Sequence, residues 1–557
     1  MSWKDNYQKW ANYSDLDLDL KKEMELMDDS KKEECFSHDL EFGTGGMRGI
    51  LGAGTNRMNI YMVRKASLGF ARYLNTKEGE KSIVIAHDNR YQSVEFAKET
   101  AKVFASMGFK AYLYKEMRPT PTLSFAVRYL KTTGGVMITA SHNPKNYNGY
   151  KIYDADGCQL IPYEADQVIA EINKITDLFS IETNKNSELI TYLDSDIDDA
   201  YLEALKTIVI NKDLKKDFKV VYTPLHGTGS VFAPKLLQWA GYDAVLVDEQ
   251  MVPDPAFSAT KNPNPEDARA FELAIEYGKK NNAKLLLATD PDADRVAIAV
   301  LHNGEYQLLT GNQTGALLVS YILEQRSKLG TLPKEGWLFS TIVSSPLALK
   351  IADSYGLKTK SVLTGFKFIG EQAKILETSE GEYVFGSEES CGYLIKDFVR
   401  DKDSFQALLM LCEICAYYHE QNKTMVDGLN EIYEKYGFYK EGLKNIVLEG
   451  LEGSKKINEI MEYFRNNVVG FNFSNIVAKE DYKLSQRSVN GLISELTLPK
   501  SNVIKYFFED GSWFVLRPSG TEPKLKVYYG VKGENHTDAN KKLEELSSEV
   551  LSLVNRI

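Results

Sequence analysis

Three aspartates at alternate positions, Asp290, Asp292 and Asp294, stand between the apolar runs Leu285-Leu286-Leu287-Ala288 and Val296-Ala297-Ile298-Ala299-Val300. Like charges so close at the end of a strand repel one another and call for a cation to offset them. Pro291 disfavours a helical course, and an extended chain with period two would turn all three carboxylates the same way. Hard oxygen ligands select Mg2+ or a similar divalent ion over zinc. An EF-hand is excluded: Arg295 holds the sixth position of such a loop, where glycine is needed, and Leu301 the twelfth, where a bidentate glutamate is needed.

A second stretch offers a nucleophile. Gly134-Gly135-Val136-Met137-Ile138 reads as a buried strand, and it ends in Thr139-Ala140-Ser141-His142-Asn143-Pro144, small polar residues closed by a proline. A serine at a strand's carboxyl end sits where open α/β sheets gather their chemistry, although a Ser-His pair alone is more often a locally bonded turn. Ten residues on, a turn at Asn148-Gly149 would bring Lys151 back toward the serine's oxygen, where an ammonium could assist proton movement; a surface lysine is the plain alternative.

Further stretches are suited to anions and hydroxyls. Phe42-Gly43-Thr44-Gly45-Gly46-Met47-Arg48-Gly49 is too glycine-rich for a stable element and could bring backbone N–H groups and Arg48 close to an anion. It does not match the dinucleotide fingerprint, whose third glycine is replaced by Arg48. Gly386-Ser387-Glu388-Glu389-Ser390-Cys391-Gly392 sets carboxylates and a hydroxyl between glycines, as acceptors for neighbouring sugar hydroxyls. Arg517-Pro518-Ser519-Gly520-Thr521 combines a bidentate donor, two hydroxyls and a loosened backbone into a phosphate cradle.

The elements that must position these loops repeat. Strand-like Ser82-Ile83-Val84-Ile85-Ala86 and Lys110-Ala111-Tyr112-Leu113-Tyr114 precede the serine strand, with helical stretches between, and a polar stretch over 183–196 closes this pass. The second pass carries Phe218–Tyr222, Ala244–Val247 and the run into the aspartates; the third carries Trp337–Val343, Thr359–Leu363 and Tyr383–Phe385. Three passes that each deliver one polar loop form a degenerate internal repeat. From about residue 441 the pattern changes to amphipathic helices and hairpins, such as Val503–Glu509 turning at Asp510-Gly511, and Leu543, Leu546, Val550, Leu551 and Val554 stripe a last helix. Ahead of the first pass, Trp3, Tyr7, Trp10, Tyr13, Leu20, Met24 and Met27 among charges suit helices packed on a larger body.

Composition narrows the class. A chain of 557 residues exceeds one core and suggests about three to five domains. A net charge of -11 argues against a general nucleic-acid binder, and no run approaches the roughly 20 apolar residues of a membrane span. The start lacks the apolar core of a secretion signal, so a cytoplasmic location is expected. Five cysteines make no disulfide framework, and Cys412 and Cys415 read as buried helix residues rather than as a metal or redox pair.

Taken in order, Thr139–Pro144, Asp290–Arg295, Gly386–Ser390 and Arg517–Thr521 resemble the phosphoserine, metal, sugar and phosphate loops of the α-D-phosphohexomutase superfamily, and the likeness spans nearly the whole chain. The resemblance implies an α/β protein of three repeated α/β domains with mixed sheets and a C-terminal α+β domain, around a central cleft; the pattern divides the chain at 1–205, 206–313, 314–440 and 441–557. It implies that Ser141 carries a phosphoryl group and that Mg2+ is held by that group with Asp290, Asp292 and Asp294. Arg48, Arg295 and Lys151 would neutralise charge, and Lys151 and His142 are the candidates for proton transfer, Lys151 the better by position. Glu388 and Ser390 would bind the sugar's ring hydroxyls, Lys367 and Lys402 would contact substrate, and Arg517, Ser519, Gly520 and Thr521 would hold the phosphate that does not react.

The implied activity is interconversion of glucose 1-phosphate and glucose 6-phosphate through glucose 1,6-bisphosphate, which also serves as activator. Mannose or pentose phosphates are the alternative substrates. Small-molecule sugar phosphates are the expected partners, with no nucleic acid and no membrane. A metal-dependent phosphatase or a sugar-phosphate sensor could use the same groups; the first would release free phosphate, and the second would lack the nucleophile that Ser141 supplies.

Overall fold

The computed structural model describes residues 2–43, 46–193, 195–448, 450–467, 470–519 and 524–557. The chain forms two compact units: Met1–Gly311, Phe366–Gly386 and Ser390–Thr424 make the first, and Asn312–Gly365, Ser387–Glu389 and Met425–Ile557 the second. No helix among the described residues is long and apolar enough to cross a membrane.

Among the described residues the first unit opens with helices Trp3–Ala11, Leu18–Glu25 and Asp29–Phe36, each started by a capping Ser2, Asp17 or Asp28 that accepts from the free N–H groups of the first turn. Trp10, Met24 and Phe36 bury their apolar face with Tyr61. A mixed sheet follows in the order Phe42–Gly43, Gly46–Ile50, Tyr147–Tyr153, Gly134–Ile138, Ser82–His87, Lys110–Tyr114, Ile190–Leu193. Its two faces divide by the alternation of a strand: Ile83, Ile85, Val136 and Ile138 pack with helices Ile60–Leu74 and Ser93–Ser106, while Val84, Ala86 and Met137 pack with helix Thr120–Leu130. Covered on both faces, the central strands read as unbroken apolar runs.

A second mixed sheet runs Glu305–Leu308, Val296–His302, Leu285–Thr289, Lys219–Thr223, Asp243–Leu246. One device recurs in both sheets. Strand Gly134–Ile138 lies parallel to Ser82–His87 and is joined by a hairpin to antiparallel Tyr147–Tyr153; Leu285–Thr289 lies parallel to Lys219–Thr223 and is joined by a hairpin to antiparallel Val296–His302. The serine loop and the aspartate loop are those two hairpin connections. Helix Ser404–Glu420 completes this unit; it buries Cys412 and Cys415, and all five cysteines are free and buried.

In the second unit, parallel strands Gly336–Thr341 and Lys358–Val362 accompany helix Gly311–Lys328, whose first residue is the last of the first unit's opening segment. An antiparallel sheet follows in the order Phe438–Val447, Lys524–Gly533, Trp513–Pro518, Ile504–Phe508, Ile476–Asp481, Gln486–Val489, Leu492–Glu495. Helices Gly450–Asn466 and His536–Arg556 cover one face through Ile460, Phe464, Leu546 and Val550. The expected hairpin stands, with Gly511 at φ 84 supplying the left-handed turn residue.

Several local expectations are corrected. The glycine-rich stretch is not all loop: Gly46–Ile50 is a strand, because Tyr147–Tyr153 offers it a partner and its glycines allow a close approach. A Cβ on Gly46, at φ 108, would lie 2.1 Å from the Tyr150 carbonyl oxygen. Asn148-Gly149 is not a turn but strand interior; the chain reverses earlier, over the serine loop. Asn148 donates to the Tyr91 carbonyl and to Ser93 Oγ at 2.9 and 3.0 Å, and a Cβ on Gly149 would meet the Thr139 carbonyl at 2.5 Å. The polar stretch over 183–196 contains the edge strand Ile190–Leu193, whose exposed position tolerates polar side chains. The sugar-loop segment is half strand, since Glu382–Glu388 runs through its first residues.

Candidate active site

Ser141 follows a fully buried strand and adopts φ 51, in the left-handed region. Its N–H donates to Thr139 Oγ1 at 2.8 Å. That conformation turns Oγ toward the second sheet, where it donates to Asp290 Oδ2 at 2.6 Å and lies 3.1 Å from His142 Nδ1. Burial, with Arg295 and Arg48 nearby, holds His142 well below the usual imidazole range, so its ring is neutral near neutral pH.

The aspartate loop is not extended. Ala293 stands at φ 53, and its N–H donates to the Asp290 carbonyl at 2.9 Å, closing a turn. The carboxylates converge because of this turn, not through strand alternation. One oxygen from each of Asp290, Asp292 and Asp294 lies within 4.8 Å of the others, and all three residues are buried. Asp290 Oδ1 accepts the Asp294 and Arg295 N–H groups at 3.2 and 3.0 Å. Burial, then the charges of Asp292 and Asp294, push the Asp290 carboxyl well up. Asp292 goes the other way: against the same burial, Lys151 holds it down.

Lys151 lies mid-strand opposite Met137, and its ammonium is bonded to Asp292 Oδ2 at 2.8 Å and Asp294 Oδ2 at 3.4 Å. It therefore enters the site as the aspartates' counter-charge, neither on the surface nor brought back by a turn. Lys402 donates to the same cluster, 3.2 Å from Asp294 Oδ2. Arg295 pairs with Glu266 at 2.7 Å and lies 3.8 Å from Asp294, and Arg48 donates to Asn143 Oδ1 in the serine loop at 2.9 Å.

The donor set fits a hard divalent cation. Asp292 Oδ1 and Asp294 Oδ1 are buried without a hydrogen-bond partner among the described residues, an arrangement that is costly unless a cation takes them.

Lys367 is buried in the first turn of helix Phe366–Leu376 with its ammonium 5.5 Å from the Phe368 ring, and Ser390 occupies the turn before Gly392–Leu394. Within the second unit, buried Glu388 accepts the Gly365 N–H at 2.8 Å. Arg517, at the end of its strand, hydrogen bonds the Tyr528 hydroxyl, which burial and the charges of Glu389 and Glu388 push above the usual phenol range. The second unit thus gathers Glu388, Glu389 and Arg517 around one tyrosine. Ser519 N–H donates to the Lys524 carbonyl at 2.7 Å; Gly520 and Thr521 lie outside the described residues.

Two contributors were missed from the sequence. Thr120 Oγ1 donates to Asp292 Oδ2 at 2.8 Å, and Arg90 is a buried arginine directed at the serine loop. The signal for Arg90 was its place just past strand Ser82–His87, at the same carboxyl edge as Ser141.

The four domain models of phosphoglucomutase/phosphomannomutase match this chain in order: the α/β/α domains I, II and III over residues 39–178, 199–304 and 310–436, and the C-terminal domain over 474–543. It is 39% identical over 533 residues to a phosphoglucomutase of Staphylococcus aureus strain MSSA476, covering 94% of this chain and 95% of that one. It is 40% identical over the same length to the enzyme of strain USA300, with the same coverage. Among solved structures, a putative phosphomannomutase from Thermus thermophilus superposes with a TM-score of 0.69 at 23% identity, covering 93% of this chain and 99% of that one. The open form of parafusin, a phosphoglucomutase from Paramecium, does so with 0.67 at 18% identity, covering 93% and 95%. These two structures speak for the fold, and the relatives and domain models for the lineage. With every domain matched in sequence and the serine set against the aspartates in space, the chain is an enzyme that belongs to the phosphoglucomutase/phosphomannomutase family.

Proposed function

We propose that the enzyme interconverts α-D-glucose 1-phosphate and glucose 6-phosphate, with Ser141 as the phosphoryl carrier and glucose 1,6-bisphosphate as the intermediate. The observation that carries this reading is Ser141 Oγ at 2.6 Å from one member of a buried aspartate cluster supplied by a different sheet. In the forward step the Oγ–P bond of phosphoserine breaks as a P–O bond forms to the sugar's free hydroxyl, whose proton leaves to a base. In the return step the P–O bond to the sugar's other oxygen breaks as an Oγ–P bond forms, the serine's proton passing to a base and the freed sugar oxygen taking a proton, so phosphate is conserved.

Asp290, Asp292 and Asp294 are the residues that would hold Mg2+ beside the serine's oxygen. The bound ion would supply positive charge to the transferring group. Lys151, fixed between Asp292 and Asp294, supplies a second positive charge and is the candidate proton donor to the departing oxygen. His142, neutral and 3.1 Å from Oγ, can accept a proton there. Arg48 and Arg295 carry further positive charge to the rim of the site. Glu388 and Ser390 are proposed to accept from the sugar's hydroxyls, with Lys367 and Lys402 as further substrate contacts. Arg517, Ser519, Gly520 and Thr521 are proposed to clamp the phosphate that does not react, so that a pseudo-symmetric ligand can be read in either orientation. Domain limits at 205, 313 and 440 accompany this assignment.

A coupled assay comparing glucose 1-phosphate, mannose 1-phosphate and ribose 1-phosphate with wild type and Ser141→Ala tests the proposal. Wild type should prefer glucose 1-phosphate, be stimulated by trace glucose 1,6-bisphosphate and release no free phosphate, and the alanine variant should be nearly inactive. Full turnover without the hydroxyl, or stoichiometric phosphate release, would remove it.

A further inference from the structure

Arg90 is fully buried, and nearly all of its donor capacity goes to the serine loop. Nη2 donates to the carbonyl oxygens of Ser141 and Asn143, both at 2.5 Å, and Nη1 donates to those of Pro144 and Tyr147 at 2.9 and 3.1 Å. One planar guanidinium therefore gathers the carbonyls of the hairpin connection from the nucleophile to the start of the returning strand. Asp88 backs it: Asp88 Oδ2 lies 3.3 Å from Arg90 Nε with both side chains buried, and Asp88 Oδ1 accepts from Ser93 Oγ at 2.7 Å and from the Arg90 N–H at 3.0 Å. The Phe257 ring closes the other side, 5.1 Å from the guanidinium carbon. Adjacent Asn89 bonds the His226 and Asp254 carbonyls at 2.8 and 3.2 Å, tying this corner of the first sheet to the domain that carries the aspartates.

We propose that Arg90 is a positioning residue. It holds Ser141 in its left-handed conformation, with Oγ directed at Asp290, and keeps a fixed positive charge behind the phosphoryl carrier. The physical ground is twofold. A serine at φ 51 lacks the freedom of glycine and stays there only if the surrounding bonds over-determine it, and here the bonds to Ser141, Asn143, Pro144 and Tyr147 converge on one rigid fork. A buried guanidinium paired to Asp88 also cannot follow the loop if the loop moves. Lysine could not replace it, since an ammonium has three donors and no fork.

The inference rests on the phosphoserine reading, and its test separates the two. Arg90→Lys and Asp88→Asn are compared with wild type, and with Arg64→Lys as the control for weakening a half-buried arginine of the same domain, one that bonds Glu99 and not the loop. Amide hydrogen exchange of the peptide covering residues 139–147 is measured first, because it needs no activity. Exchange should rise at least about tenfold in Arg90→Lys, less in Asp88→Asn, and not at all in Arg64→Lys. In the mutase assay Arg90→Lys should lose about 100-fold in kcat with KM changed less than about threefold, the loss expected when reacting atoms are displaced by about an ångström. Asp88→Asn covers the case in which Arg90→Lys does not fold; it should lose about tenfold in kcat, again without a change in KM. Unchanged exchange over 139–147 in the folded variants would overturn the proposal whatever the wild type catalyses. So would a loss confined to KM, or one matched by Arg64→Lys.

Discussion

Replacing Lys151 by methionine tests whether the lysine is the aspartates' counter-charge. At 2.8 and 3.4 Å from Asp292 and Asp294, and at an effective dielectric constant of about 20, the two attractions are about 6 and 5 kcal/mol before desolvation is subtracted. Desolvation of a buried ammonium and two carboxylates offsets most of this, and removing one partner of a buried pair costs about 3 to 5 kcal/mol. Lys402 remains 3.2 Å from Asp294, so the uncompensated charge falls on Asp292, which keeps the Thr120 hydroxyl but loses its nearest cation. The lower end, about 3 kcal/mol, is therefore expected. In chelator, differential scanning fluorimetry of Lys151→Met should show a lower midpoint than wild type. Saturating Mg2+ should narrow that gap, because a divalent ion takes over the neutralisation the lysine provided. In the coupled assay kcat should fall between about 10²- and 10⁴-fold, as for loss of a proton donor, with a smaller change in KM. A variant as stable as wild type in chelator, with kcat within a factor of about three, would refute the assignment.

Other outcomes follow from the same geometry. Thr120→Val removes the hydroxyl that orients Asp292 and should raise the Mg2+ concentration for half-activation about 10- to 100-fold, read from activation curves; an unchanged curve would place Thr120 in a purely structural role. Asp403 caps helix Ser404–Glu420, and burial holds its carboxyl up at about 6 despite bonds from Tyr201 and Gln406. Because the folded value exceeds the ordinary 3.8, its stabilising contribution is complete below about pH 3.8 and is lost as pH rises through 6, a span of at most about 3 kcal/mol. Relative to Asp403→Asn, wild type should thus lose melting temperature between about pH 4 and pH 7, and a constant difference between the two would contradict this. Gly149→Ala places a Cβ 2.5 Å from the Thr139 carbonyl and should cost about 1 to 3 kcal/mol and much of the turnover, whereas Gly470→Ala, with nothing within 4 Å, should do neither.

Much of the fold was legible because its signals are local. Unbroken apolar runs such as Leu285–Ala288 and Val136–Ile138 declare strands covered on both faces, and the hairpin at Asp510-Gly511 is written in its turn residues. Where the reading failed, a distant partner overruled a local preference. Gly46–Ile50 became a strand because Tyr147–Tyr153 offers its edge, and Asn148-Gly149 stayed straight because Ser93 and the Tyr91 carbonyl satisfy the asparagine while the glycine lets the Thr139 carbonyl approach. The aspartates meet through a turn at Ala293, a left-handed residue that reasoning from an extended period-two course does not anticipate and that is uncommon outside glycine, asparagine, aspartate and histidine.

By itself the sequence determined which groups could act: a serine at a strand end, three hard-oxygen ligands, and arginines set among glycines. Residue type and chain order suffice for that, since chemistry belongs to the side chain and a strand end is a local property. Only the tertiary structure decided which charge answers which. Lys151 and Lys402 neutralise Asp292 and Asp294, Ser141 turns to Asp290, and Arg90 holds the loop from behind, across separations of 51 to 149 residues for the last two. Such pairings depend on sheet order and on the burial that removes water as a competing partner, and neither is encoded within the stretch that holds any one of these residues.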